Sequence, residues 1–157
     1  MGEVEMKRCL FLMLLIALLL CGCGQRETPS VGVVNPISVS SLETLEAELG
    51  IPADRFAALP EPAVRRYNVE PVLFELEFVW EEVSCTLRVS PGEGQGDISG
   101  MYFSWTEEAE GEGYRISLDG EGHGICLWEG EGFTWSLALE EGASLELLTQ
   151  LYALVTE

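Results

Sequence analysis

Along residues 71–80, PVLFELEFVW, apolar Phe74, Leu76, Phe78 and Trp80 alternate with acidic Glu75, Glu77 and Glu81 just beyond. A period of two predicts a half-buried strand. A tight Glu81-Glu82 turn follows, and VSCTLRV resumes the alternation with Val83, Cys85, Leu87 and Val89 on one face, so the two runs form a hairpin. Further strands are expected at 101–105 (MYFSW), 114–118 (YRISL), 124–128 (GICLW) and 133–139 (FTWSLAL). The stretches between them are rich in Gly and acidic residues and read as turns. A weaker strand over 64–69 would be ended, or placed at an edge, by Pro71.

Two segments carry the helical period instead. In SVSSLETLEAELGIP, Ser40 or Ser41 is the N-cap, Leu42, Leu45 and Leu49 share a face, and Gly50 with Pro52 ends the element. Near the end of the chain Ser144 caps a second helix on which Leu145, Leu148, Leu151, Tyr152 and Val155 recur at helical spacing. Short strands with short connections favour antiparallel order, and a one-sided sheet needs a cover. The expected fold is therefore α+β. An antiparallel β-meander of about five to seven strands follows a short N-terminal helix and packs against a C-terminal helix.

Residues 10–20, LFLMLLIALLL, are apolar without interruption and follow Lys7 and Arg8. A spanning helix needs about 20 such residues, so this run reads as the core of a secretory signal. Met6 begins that leader better than Met1, because Glu3 and Glu5 sit poorly in its basic lead-in. After it, GQRETPSVGVVNPIS has no periodicity and reads as a flexible tether. The organisation expected is a leader over 1–22, a tether over 23–39 and one globular domain over 40–157.

The charge balance excludes one class of partner. Asp and Glu number 27 against 8 Lys and Arg, a formal charge of −19, and beyond residue 23 there is no lysine. Such a surface repels phosphate backbones and anionic headgroups, so nucleic acid is not expected as a partner.

The pair Cys21 and Cys23 sits where the apolar run ends. One C-x-C supplies too few ligands for a metal site, and the end of an apolar helix does not stabilise a thiolate. Leu20-Cys21-Gly22-Cys23 resembles the bacterial lipobox, a large aliphatic residue, two small residues and a Cys directly after the apolar run. The resemblance implies that Cys23 takes a diacylglyceryl group and becomes the new N-terminus, with Gly22 before the cut. The register on Cys21 would put bulky Leu20 there, and an uncleaved anchor helix is the other alternative. Two acyl chains, at about 0.8 kcal/mol per buried methylene, hold a protein on a membrane. The implied location is the extracytoplasmic face of the cell membrane, anchored by lipid.

Within the domain no catalytic set stands out. His123 is the only histidine and lies in a glycine-flanked turn, with no Ser or Cys that sequence can pair with it. DGEGHG, residues 119–124, has Asp119, Glu121 and Gly124 spaced as in a calcium loop, but position five is His123 and position twelve is Gly130. No metal and no cofactor is expected. Cys85 and Cys126 either pair, if their strands are neighbours, or sit buried independently. Phe74, Phe78, Trp80, Phe103, Trp105, Phe133 and Trp135 read as core, with an apolar ligand cradle between sheet and helix as the alternative.

A strand ending in Arg88-Val89-Ser90, followed by Asp97-Ile98-Ser99-Gly100 and an aromatic, is similar to a small domain of Gram-positive bacterial lipoproteins and of extracytoplasmic anti-sigma-factor-like regions. NPIS at 35–38 and the closing GASLELL resemble the same family, although Met101 stands where an acidic residue is common there. Read physically, Asp97 and Ser99 bond local backbone, Gly100 takes positive φ and Ile98 plugs the core. The resemblance implies a noncatalytic binding or regulatory module with a protein partner at the cell surface. A lipoprotein that holds a small apolar ligand is the alternative.

Overall fold

A computed structural model describes residues 37–156. The leader, Cys21, Cys23 and nearly all of the tether lie outside the described residues. Among the described residues no helix is long and apolar enough to cross a membrane.

Eight strands form one antiparallel sheet: β1 (Ile37–Val39), β2 (Ala63–Tyr67), β3 (Leu73–Trp80), β4 (Val83–Pro91), β5 (Glu107–Gly111), β6 (Tyr114–Leu118), β7 (Gly124–Gly130) and β8 (Phe133–Leu139). Helix α1 (Leu42–Leu49) and a 3-10 turn (Ala53–Phe56) lie between β1 and β2, and α2 (Leu145–Thr156) follows β8. The strand count exceeds the expected five to seven. One added strand, β1, takes three residues assigned to the tether and pairs Ile37 with Tyr67 and Val39 with Arg65.

The order across the sheet is β1-β2-β3-β4-β8-β7-β6-β5. This corrects the single meander. Two four-stranded meanders meet at a β4–β8 seam, and residues 92–106 carry the chain from the middle of the sheet to its far edge.

The expected strand over 101–105 is absent, and β5 forms from residues read as a turn. Each difference has its own cause. Met101 is buried while Tyr102 is 95% exposed, which is one-sided burial of an extended segment lying on the sheet rather than in it. β5, EEAEG, is an edge strand whose residues are mostly exposed, so it has no apolar alternation to read.

The other elements follow their local chemistry. Ser41, not Ser40, caps α1 by accepting the Thr44 N–H at 3.3 Å, and Gly50 closes it at φ 73°. Ser144 Oγ accepts the Leu147 N–H at 3.1 Å at the start of α2. The Glu81-Glu82 turn joins β3 to β4 with both residues at positive φ, 48° and 74°, as a twist-matched two-residue hairpin requires.

One face of the sheet carries the apolar core. Phe74 and Leu76 of β3, Leu87 of β4 and Leu137 and Leu139 of β8 are fully buried with Leu45 of α1 and Leu148 and Leu151 of α2. Trp128 and Trp135 stack in parallel at 5.7 Å in this layer, and Phe56 and the Arg55 guanidinium lie against Trp135.

Candidate functional site

The opposite face is where the polar chemistry collects. Register places Arg65, Glu75, Arg88 and Ser136 side by side across β2, β3, β4 and β8. Glu75 is 2% exposed, although it had read as the outward half of an alternating strand. A buried carboxylate needs partners, and it has them. Tyr67 donates its hydroxyl to both oxygens at 3.0 Å, and Arg88 Nε and Nη2 each donate at 2.7 Å. Arg65 stands 3.6 Å from the other oxygen and pairs with Glu77 at 2.8 Å. Burial pushes the Tyr67 phenol above its ordinary pKa, reinforced by Glu75 and opposed by Arg88.

Arg88 also reaches the crossover. Its Nη1 donates to the Ile98 carbonyl at 3.1 Å and to the Ser99 carbonyl. Asp97 Oδ1 accepts the Ser99 N–H at 2.7 Å, and Ser99 Oγ accepts the Met101 N–H at 3.1 Å, so this element is the local turn its residue types imply, but Ile98 is only half-buried and Met101 fills the apolar cluster in its place. Gly100 sits at φ 73°, and a Cβ there would lie 2.2 Å from Arg88 Nη1. Glycine meets both demands here, the positive φ and the close approach of the guanidinium. Beyond it Met101 and Trp105 pack on Ile125, Leu127 and Ala138, a second small apolar cluster beneath the crossover.

Two recesses flank this strap. One, about 230 Å³, is lined by Arg65, Tyr67, Glu75, Thr86 and Arg88. The other, about 470 Å³, opens between Gly96 and the strands that carry Glu110, Arg115, Leu127 and Glu129.

The crossover ends beside the β6–β7 turn. The Phe103 ring lies parallel to the His123 imidazole at 4.0 Å, with Trp105 edge-on at 5.9 Å. His123 Nδ1 contacts Asp119 Oδ2, while Asp119 Oδ1 accepts the backbone N–H of Glu121 at 2.8 Å and of His123 at 3.1 Å. Desolvation pushes the Asp119 carboxyl up, but the His123 side chain and those two N–H groups outweigh it and hold it below the usual carboxylate value. Asp119, Glu121 and His123 present ligand atoms all within 4.8 Å of one another.

The remaining sequence candidates separate. Cys85 and Cys126 are both free and buried, on β4 and β7 with β8 between them, which settles the pairing question in favour of independent thiols. Burial pushes Cys85 up to about 11 and Cys126 to about 12, so neither is a nucleophile near neutral pH. The seven aromatics do not share a face. Phe74, Phe78 and Trp135 are buried under the helices with Trp80 and Phe133 packed against them, whereas Phe103 and Trp105 belong to the crossover. Between sheet and α2, Leu137, Leu148, Leu151 and Val155 fill the interface at 1% exposure or less.

The Glu75–Arg88 network escaped sequence reading because both residues occupy ordinary polar positions of alternating strands. The available signal was the pairing itself: Glu75 stands opposite Arg88 in the hairpin that the Glu81-Glu82 turn defines. No family model, curated protein or solved structure matches the chain.

Proposed function

We propose that the chain is a lipoprotein anchored through Cys23 on the extracytoplasmic face of a cell membrane, and that its folded part is a noncatalytic binding or regulatory domain. The observation that carries the anchor is the apolar run 10–20, which ends in Leu20-Cys21-Gly22-Cys23 only a short tether before β1 begins at Ile37. Support for a noncatalytic domain comes from how its reactive groups are engaged. Glu75 is enclosed by three partners and both thiols are buried.

The crossover is the surface we assign to a protein partner, because Tyr102 is 95% and Phe103 40% exposed on a segment that Arg88 pins in place. Rigid exposed aromatics are the usual anchors of protein contacts. Nucleic acid and anionic lipid are disfavoured by the same acidic surface. The apolar-ligand alternative has less support, since the interface it would use is filled by side chains.

Metabolic labelling with a fatty acid tests the anchor. Label is expected to vanish in Cys23→Ala and persist in Cys21→Ala, and persistence in Cys23→Ala rejects it. A photo-crosslinker at position 102 of the anchored protein should trap one defined partner at the cell surface. Lipid copurifying with the chain in organic extracts would favour the alternative instead.

A further inference from the structure

We propose that the β6–β7 turn is a binding site for a divalent transition-metal ion of the zinc, nickel or copper class, with Asp119, Glu121 and His123 as its protein ligands. The three ligand atoms already lie within 4.8 Å of one another. An ion with bonds of about 2.0–2.2 Å in tetrahedral geometry separates its ligands by about 3.4 Å, so it would take the place of the Asp119–His123 hydrogen bond, with Glu121 drawn in by side-chain adjustment.

Two of the three ligands are already oriented. Asp119 is held by two backbone N–H groups on Oδ1, which leaves Oδ2 directed at His123 Nδ1. The imidazole is held from a different part of the chain, since Phe103 of the crossover stacks on it with only 10° between the planes. Fixed ligands lower the cost of binding, because partners that orient a ligand in advance govern metal affinity. Glu121 is exposed and supplies the mobile third arm, and water completes the sphere.

The residue that spoils a calcium loop is the one that selects this ion. Calcium requires six to eight oxygens, and the turn offers two carboxylates and one nitrogen. Imidazole suits zinc, copper and nickel, and two carboxylates beside it compensate the ionic charge. The surrounding acidic surface raises the local cation concentration. Because Phe103 rests on the ligated ring, an ion here also fixes the part of the crossover next to exposed Tyr102.

His123 is the only histidine, so its ring protons give one assignable set of NMR signals in the full-length chain held in detergent. One equivalent of Zn2+ should shift that set, and one equivalent of Ca2+ should not. Calorimetry should give one saturable Zn2+ site, weakened about tenfold or more in Glu121→Gln, whose exposed side chain makes no contact the fold needs, and lost in His123→Gln. A ring set unmoved by one equivalent of Zn2+, or an affinity unchanged in Glu121→Gln, overturns the site. Equal, many-site binding of Zn2+ and Ca2+ that ignores His123→Gln overturns it as well, because that is the behaviour of an acidic surface.

Discussion

On one side of β8, Trp135, Leu137 and Leu139 belong to an apolar core that α1 and α2 close. On the other side of the same strand, Thr134, Ser136 and Ala138 are just as buried, at 4% exposure or less, yet their cover is an extended loop. The first face is held by area removed from water, which tolerates small errors of position. The second joins a small apolar cluster to one guanidinium that bonds a buried carboxylate and two loop carbonyls together, and that strut does not. A loop can replace a helix as the cover when a charged strut ties it down.

The comparison breaks most directly at Arg88. Arg88→Ala leaves buried Glu75 with only the Tyr67 hydroxyl and the more distant Arg65, and releases the crossover, and should cost about 3–5 kcal/mol in urea unfolding, with Glu75→Leu/Arg88→Leu losing less than the single variant. Leu137→Ala, on the helix face, should cost about 2–5 kcal/mol through its cavity alone and leave Trp105 as shielded from quenchers as before. If the double variant proves no better than Arg88→Ala, the strut does not act through an unpaired charge.

A finer cut is Gly100→Ala. Positive φ and the approach to Arg88 together predict a loss of about 2 kcal/mol, with quencher access to Trp105 rising before the helix face responds. A variant as stable as the parent would mean that the guanidinium can pass a Cβ.

The helix face has its own pH signature. Cys85 and Cys126 have folded pKa values of about 11 and about 12, above the ordinary thiol value. Their neutral forms therefore favour the fold fully below pH of about 8.5, and that contribution is lost as pH rises toward the folded values, at up to about 1.4 kcal/mol per pH unit for each thiol. Urea midpoints taken between pH 8 and 11 should fall, and less steeply in Cys126→Ala. Both thiols should resist iodoacetamide at pH 8 until the chain is unfolded.

The helix face was legible in the sequence because burial on one side writes a period: Phe74, Leu76, Phe78 and Leu148, Leu151, Val155 name their elements directly, although Leu145, read as part of the second set, is 41% exposed. The crossover face was not. Its strap copies the alternation of a strand at Met101, Phe103 and Trp105, and its strut is assembled from Tyr67, Glu75, Arg88 and Ser99, which come together only once strand register is known. The cap of α1, the two-residue turn after Trp80 and the Asp97–Gly100 turn were readable because each is satisfied within a few residues. The strand order was not, since nothing local says that β4 pairs with β8.

That order also has a consequence in time. β8 comes last in chain order among the strands of this sheet yet lies at its centre, so without β8 no hydrogen-bonded pair joins β1–β4 to β5–β7. Closing the seam joins distant parts of the sequence, which is the slow kind of step in folding.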